Sequence, residues 1–222
     1  MEEMSPNVRY LFSRSGLPEA KWKDIPLGCD DIDFDSFQTL DEIREDIDES
    51  FFTEHYNEDG FVIEDNNLLI CGKHTGCGKT SWSLKILKRY FENEAHRLNG
   101  VDANTLDKTF NVGLFIPVTK FLVDMKQFGN NDEARKLYNR LQTTELVVWD
   151  DLAAVHVSQY DYNVLYALID YRIFSELPNI FTTNATSMEE LGKEIGERLA
   201  ERIWKTSIVV ELKGTGVRGL KA

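Results

Sequence analysis

The fold is decided by one stretch, Leu68-Leu69-Ile70-Cys71-Gly72-Lys73-His74-Thr75-Gly76-Cys77-Gly78-Lys79-Thr80. Its first four residues are apolar, and they lead into a glycine-rich loop that ends in Gly-Lys-Thr. An amphipathic segment from Ser81 to about Arg97 follows directly, with apolar residues at helical spacing. Strand, loop and helix in this order predict a phosphate-binding loop.

The loop has the chemistry that binding a nucleotide requires. Gly76 and Gly78 allow a turn tight enough for successive N–H groups to point at one anion, and the positive end of the helix dipole adds to that field. Lys79 is expected to reach the β- and γ-phosphates, and the Thr80 hydroxyl to hold Mg²⁺. The residues expected here to bind ATP or ADP are Thr75, Gly76, Cys77, Gly78, Lys79, Thr80 and Ser81.

One position departs from the usual G-x-x-x-x-G-K-T pattern. The pattern places its first glycine at position 73, where this chain has Lys73, and Gly72 falls one residue early. We expect the shift to alter the entry to the loop, and so the affinity for ATP before the chemistry. A chance glycine-rich turn between a strand and a helix is the alternative interpretation of the stretch.

The bulk composition indicates a globular protein with an ordinary core. The hydrophobic share is 42% and the charged share is 28%. No apolar run approaches the roughly 20 residues that a bilayer helix needs, and the N-terminus has no signal-peptide pattern. The three cysteines have no zinc-like spacing, so they are interpreted as free thiols in a reducing compartment. These features predict a cytoplasmic protein without a membrane partner.

The negative charge of the chain is concentrated in one segment. The net charge is −13, but residues 30–65 hold fifteen acids against the single base Arg44, a local charge of −14. The remainder sums to +1, so the global charge does not exclude a nucleic-acid partner. Within the segment, residues 39–52 have the pattern of a surface helix, with an acidic face that is either solvated or repels or mimics DNA.

The rest of the chain alternates between strand and helix patterns. This alternation predicts an α/β fold, with a five-stranded parallel sheet and helices on both faces. Residues 1–28 are expected to be mixed and turn-rich, with a short ordered lead-in around Trp22. The strands are predicted at 66–71, 112–118, 146–149, 180–183 and 207–212, and the helices at 81–97, 120–128, 132–141, 163–174 and 187–204 with an interruption at Gly196.

Polar residues follow two of these strands. Asp150 and Asp151 end the third, and parallel sheets bind ligands at that edge. Asp150 suits the second shell of a Mg²⁺ held by Thr80, and Asp151 could orient and deprotonate an attacking water. Asn184 ends the next strand and could hold that water or sense the γ-phosphate. Taken singly, the two acids are also typical of a strand cap, and Asn184 of a turn.

Two arginines in a late helix suit phosphoryl transfer. Arg198 and Arg202 are four residues apart, so they share one helix face. An arginine supplied by a neighbouring subunit can stabilise the charge that develops on the transferred phosphoryl group. Surface salt bridges with Glu197 or Glu201 are the alternative for each.

Four blocks taken together resemble a known family. They are Gly-Cys-Gly-Lys-Thr, Val-Val-Trp-Asp-Asp-Leu, Tyr-Arg-Ile-Phe-Ser-Glu-Leu-Pro-Asn-Ile-Phe-Thr-Thr-Asn and Gly-Glu-Arg-Leu-Ala-Glu-Arg-Ile. Their order resembles the AAA+ ATPase module of bacterial and phage replicative-helicase loaders of the DnaC/DnaI type, and it is similar to the IstB transposition helpers. The lead-in Ser15-Gly16-Leu17-Pro18 with Trp22 resembles the segment before that module.

The resemblance implies roles for particular residues. It implies an AAA+ P-loop ATPase core over 59–222, preceded by a lead-in and acidic segment over 1–58. It implies slow, Mg²⁺-dependent ATP hydrolysis, stimulated by oligomerisation or by a partner, at a site shared between subunits. In that site Asp150 and Asp151 match Walker B, Asn184 matches sensor 1, Arg202 matches the arginine finger, and Arg218 matches sensor 2. A solvated basic tail is the alternative for Arg218.

The resemblance also implies partners, namely a hexameric replicative helicase, a second copy of the chain and, weakly, single-stranded DNA. Too few residues precede the core for the separate helicase-binding domain of bacterial loaders, and only four follow Arg218, so a helical lid domain is not expected. The implied protein is either a minimal, phage-type loader or a relative that meets its partner through the acidic stretch or the ATPase face. A transposition helper and a nucleotide-gated adaptor with negligible turnover remain alternatives. The candidate DNA contacts, which are otherwise a solvated helix face, are Lys120, Lys126, Arg135, Lys136 and Arg140.

Overall fold

The structure is a computed structural model that describes residues 4–22, 56–57, 60–61, 67–97, 111–127, 131–152 and 158–213. The helix predicted over 39–52 lies outside the described residues, and so do Arg218 and most of the acidic segment. No helix in the described parts of the chain is long and apolar enough to cross a lipid bilayer.

The described elements alternate as the sequence predicts. The helices are α1 Pro6–Arg14, α2 Glu19–Trp22, α3 Lys79–Arg97, α4 Val118–Met125, α5 Asp132–Leu141, α6 Gln159–Phe174, α7 Met188–Ile195 and α8 Glu197–Lys205. The strands are β1 Tyr56–Asn57, β2 Gly60–Phe61, β3 Asn67–Cys71, β4 Gly113–Pro117, β5 Leu146–Asp150, β6 Asn179–Thr183 and β7 Ser207–Glu211.

Five of these strands form one parallel sheet, in the order β4-β5-β6-β3-β7. The prediction of a five-stranded parallel sheet is therefore confirmed. The two short strands β1 and β2 pair with each other in an antiparallel ladder outside it. The order places β6 between β3 and β5, so the loop after β3 and the acids at the end of β5 are separated by the width of one strand.

The sheet is covered on both faces, as predicted. Alternate residues of each strand enter two hydrophobic clusters, so that Leu68 and Ile70 of β3 belong to one cluster and Leu69 to the other. The first cluster contains residues of α1, α2 and α3, and the second contains residues of α4 to α8. Burial on both faces explains why the central strands are continuously apolar rather than alternating.

The N-terminal lead-in contains a helix that the sequence analysis missed. Residues 6–14 were expected to be turn-rich, but they form α1 and pack on α3 and β4. Pro6 was interpreted as a turn signal, whereas it occupies the first turn of the helix, where its missing N–H costs nothing, and the Ser5 hydroxyl caps that turn. Phe12 is fully buried, stacks on Trp22 and meets Phe91 edge to face. The division between residues 58 and 59 stays a prediction.

A buried arginine ties together the elements that carry the site. The Arg172 guanidinium of α6 is fully buried and donates to the carbonyls of Leu141, Thr144 and Pro178 at 2.7–2.8 Å. It also donates to Asn179 Oδ1 at 2.7 Å. Burial lowers the pKa of Arg172 to about 9. These bonds join the end of α5 to the starts of β5 and β6, so they fix the two strands whose other ends form the site.

Candidate nucleotide site at the sheet edge

The loop between β3 and α3 has the backbone that its glycines predict. Gly76 has φ +87° and Gly78 has φ +103°, values that L-residues with a side chain rarely adopt. The Cys77 N–H donates to the His74 carbonyl, and the Trp82 N–H donates to the Gly78 carbonyl to begin α3. The loop therefore wraps the start of a 19-residue helix, where backbone N–H groups and the helix dipole favour an anion.

The displaced first glycine has a structural reason. A β-carbon on Gly72 would lie 2.7 Å from the Leu212 carbonyl oxygen, and the Leu212 N–H donates to the Cys71 carbonyl at 2.8 Å. Gly72 is thus needed where the end of β3 meets the segment after β7. Position 73 needs no glycine, because among the described non-glycine residues only Asp151 and Glu176 have positive φ. The exposed Lys73 is therefore accommodated without backbone strain.

Lys79 lies inside the loop. Its Nζ donates to the carbonyls of Gly72 at 2.8 Å and His74 at 3.2 Å, and it lies 3.4 Å from Cys77 Sγ. The side chain is nearly buried. The loop carbonyls thus hold the ammonium group beside the backbone turn that is expected to receive the phosphates.

Three elements meet at Asp150. Its Oδ1 accepts from the hydroxyl of Thr80 at 2.9 Å and from the hydroxyl of Thr182 at 2.7 Å. The Thr182 oxygen in turn accepts from the Asp151 N–H at 2.8 Å. The predicted neighbourhood of Thr80 and Asp150 is present, and their contact is direct.

Thr182 is a site residue that the sequence analysis did not select. Because β6 lies beside β5 in the sheet, a residue near the end of β6 lies close to the two acids that follow β5. Thr182 pairs with Ile70 in the ladder and reaches both acids through one hydroxyl. The available signal was the Thr-Thr-Asn block, of which only the asparagine was singled out.

Burial raises the pKa of Asp150, and the nearby Asp151 carboxylate raises it further. The hydrogen bonds from Thr182 and Thr80 and the charge of Lys79 oppose this effect. A raised pKa means that the ionised carboxylate is unfavourable in the free chain, and a bound cation would stabilise it.

The oxygen donors fit Mg²⁺, since in phosphate-transfer sites this ion takes one or two protein oxygens and completes its shell with water and phosphate. Among the described residues there is no group of three or more His, Cys, Asp or Glu that could form an all-protein metal cage. Thr80 and Asp150 would hold the ion only together with a bound nucleotide.

Asp151 and Asn184 complete the edge. Asp151 has φ +62°, a left-handed conformation that aspartate tolerates better than most residues, and its N–H bond to Thr182 fixes it. Asn184 is exposed just beyond the end of β6. The pocket at this edge is lined by Thr75, Gly76, Gly78, Lys79, Thr80, Ser81, Asp151, Thr182 and Asn184.

Of the predicted site residues that the structure describes, three do not line the pocket, namely Cys77, Asp150 and Arg202. Cys77 contacts Lys79 through its sulfur instead. Arg202 pairs with Asp170 of α6 at 2.8 Å, and Arg198 lies 5.2 Å from the centre of the Tyr166 ring. The alternative partners named for both arginines, Glu197 and Glu201, are therefore not the ones found. Arg218 lies outside the described residues.

The five candidate DNA contacts are all engaged within the chain. Lys120, Arg135 and Lys136 form ion pairs with acids three or four residues away on their own helices. Lys126 pairs with Asp161 at 3.5 Å. Arg140 donates to Asn111 Oδ1 and to the Arg14 carbonyl. These contacts favour the interpretation of a solvated helix face.

Comparison with known proteins supports the fold. The structure is similar to that of the DnaC helicase loader, with a TM-score of 0.59 and 18% identity over 82% of this chain and 92% of that one. It is similar to DnaI with a TM-score of 0.61 and 20% identity, over 91% and 95% of the two chains. AMPPCP-bound DnaA from Aquifex aeolicus matches with a TM-score of 0.56 and 16% identity, over 84% of this chain but 49% of its own length.

These likenesses support the predicted α/β fold with a five-stranded parallel sheet, which this chain shares with the DnaC, DnaI and DnaA structures. No model of a protein family matches the sequence, and the search of curated proteins found no match.

Proposed function

We propose that this chain is an ATP-dependent loader of a replicative DNA helicase, acting in the cytoplasm during replication initiation. The observation that carries the nucleotide part is the cluster of Thr80, Asp150 and Thr182 beside the glycine-rich loop. The loader part is supported by the shared fold, since the DnaC helicase loader and DnaI match this chain over most of both lengths.

Each residue of the site would have its own role in ATP hydrolysis. Loop N–H groups and Lys79, which now donates to two carbonyls, would bind the phosphates of ATP. Thr80 and Asp150 would hold Mg²⁺, which when bound neutralises charge on the phosphates. Asp151 would take a proton from the attacking water, and Asn184 would orient that water. ADP would occupy the same loop after the reaction.

The site would be completed by a second copy of the chain. No arginine lines the described pocket. Arg202 would be supplied by a neighbouring subunit in an ATP-dependent oligomer, and Arg218 would contact the nucleotide as sensor 2. A single chain would then hydrolyse ATP slowly, and assembly or a partner would accelerate the reaction.

The absence of an arginine from the described pocket also favours a second candidate, a nucleotide-gated adaptor with negligible turnover. Steady-state ATPase activity measured against protein concentration separates the two candidates. Hydrolysis that rises faster than in proportion to concentration supports a shared site, whereas no hydrolysis at any concentration supports the adaptor. Single-stranded DNA would bind weakly to either, because the predicted basic contacts are already paired.

A pull-down tests the loader function. The chain is incubated with a hexameric replicative helicase in ATP, in ADP and without nucleotide, and capture is expected to depend on the nucleotide. The variant Lys79→Ala is expected to lose this dependence. The variant Lys73→Ala removes an exposed lysine of the same loop and is expected to retain it. Failure of the unmodified chain to capture the helicase in all three conditions would refute the loader function but not ATP binding.

A further inference from the structure

Helices α6 and α8 are held in register by three successive contacts. Tyr162, Tyr166 and Asp170 are four residues apart, so they form one ridge along α6. The Tyr162 ring lies against Gly196, where an added β-carbon would be 2.7 Å from the ring, and it stacks on Tyr166. The next two contacts are Tyr166 with Arg198 and Asp170 with Arg202.

The last contact joins two charged side chains that differ in exposure. Asp170 Oδ1 is buried, and among the described residues no hydrogen-bond donor is aligned with it, so its compensation is the ion pair with Arg202 Nη2 at 2.8 Å. The Arg202 side chain is 42% exposed and that of Asp170 is 31% exposed. The Asp170 oxygen that makes the contact is therefore buried, whereas the arginine is the more exposed side chain of the pair.

This arrangement leaves most of the arginine available to an anion. A guanidinium carries five N–H donors, and the contact with Asp170 uses one edge of the fork. A free arginine side chain loses rotamer entropy when it is fixed. An arginine that is already held loses less of this entropy when it binds a phosphate.

We propose that Asp170 is a positioning residue, which holds the Arg202 guanidinium in place to meet the nucleotide of a neighbouring copy of the chain. This inference rests on the shared ATP site proposed above. Asp170 touches neither nucleotide nor metal in this scheme and acts only through Arg202. Removing the carboxylate frees the arginine, so transition-state stabilisation falls while binding of ATP in the neighbour's loop is retained.

The test mixes two defective subunits. The Arg202→Lys subunit is the acceptor, meaning that its ATP site receives an arginine from the neighbouring subunit. It keeps its own ATP loop and a positive charge beside Asp170 but lacks the guanidinium fork. The Lys79→Ala subunit is the donor, meaning that it supplies Arg202 to the neighbouring ATP site. It lacks its own phosphate contact but keeps Arg202. Neither variant alone is expected to hydrolyse ATP appreciably, and the mixture is expected to recover activity at the mixed interface.

The donor is then changed to Lys79→Ala with Asp170→Asn. The kcat recovered by the mixture is expected to fall about tenfold, while KM for ATP is unchanged. This fall is at the low end of the loss of activity seen when residues that orient metal ligands are removed. A donor carrying Asp170→Glu is expected to restore part of the loss. The matched control donor carries Glu201→Gln, which breaks an exposed ion pair of the same helix, and is expected to behave like Lys79→Ala alone. Thermal melts establish that every donor is folded.

The outcomes separate the two proposals. If the acceptor and the Lys79→Ala donor recover no activity together, the inter-subunit role of Arg202 is refuted, and the role of Asp170 with it. If they recover activity and the donor with Asp170→Asn recovers it equally well, the shared site stands and the positioning role of Asp170 is refuted.

Discussion

Replacing Thr182 by valine tests how the site is held together. Valine matches threonine closely in shape, so the substitution removes the hydroxyl and opens no cavity. Two hydrogen bonds are lost, one to the Asp150 carboxylate at 2.7 Å and one from the Asp151 N–H at 2.8 Å. A bond to a charged group contributes about 1.5–3 kcal/mol and a neutral one about 0.5–1.5 kcal/mol. We therefore expect Thr182→Val to lower the free energy of unfolding by about 2–4 kcal/mol.

The same change is expected to reduce activity through the metal. Asp150 keeps the Thr80 hydroxyl as a donor, but the Asp151 turn, with φ +62°, loses the bond that fixes it. Residues that orient metal ligands typically change affinity or activity 10–100-fold. We expect a fall in kcat and a rise in the Mg²⁺ concentration for half-maximal ATPase activity, each within that range. A drop in Tm of about 5–15 °C should accompany them.

The neighbouring residue offers a matched control. Thr183 is equally buried, but among the described residues its hydroxyl accepts only from the Ala185 N–H, at 3.2 Å, and forms no hydrogen bond with Asp150. Thr183→Val is expected to cost about 1 kcal/mol and to leave the Mg²⁺ dependence unchanged. If the two valine variants have the same Mg²⁺ dependence and the same kcat, the bridging role of Thr182 is refuted.

Two further substitutions probe the loop and the half-buried acid Asp150. Gly72→Ala places a β-carbon 2.7 Å from the Leu212 carbonyl oxygen and is expected to cost about 1–3 kcal/mol in urea melts, whereas Lys73→Ala should change stability by less than about 0.5 kcal/mol. Equal costs would contradict our account of the displaced glycine. Asp150→Asn should raise Tm at neutral pH while abolishing Mg²⁺-dependent hydrolysis. The reason is that burial raises the pKa of Asp150 in the folded chain, so the ionised carboxylate opposes folding. This penalty begins to shrink as the pH falls through the raised pKa and is gone below the ordinary pKa of the unfolded chain. The Tm advantage of the variant should therefore shrink in acid, and an advantage that grows there would be contrary to this explanation.

Much of the fold follows from local patterns in the sequence. The apolar run before the glycine-rich loop predicts β3, and that before Asp150 predicts β5, because strands buried on both faces have no polar alternation. The predicted start of α6 was four residues late, since Ser158 and Asp161 form a capping box that begins the helix at Gln159. That signal was present in the sequence, as was the Ser-Pro start of α1.

The sequence by itself determined the glycine-rich loop between β3 and α3, the acids at the end of β5 and the alternation that produces a parallel sheet. These features depend on residues close together in the chain, whose spacing fixes the local backbone and the buried faces. Only the tertiary structure decided that β6 lies between β3 and β5, that the Thr182 hydroxyl therefore bonds to both Asp150 and Asp151, and that Asp170 pairs with Arg202. Strand order and helix register come from packing between distant segments, and local periodicity is the same for every order in which the strands could pair.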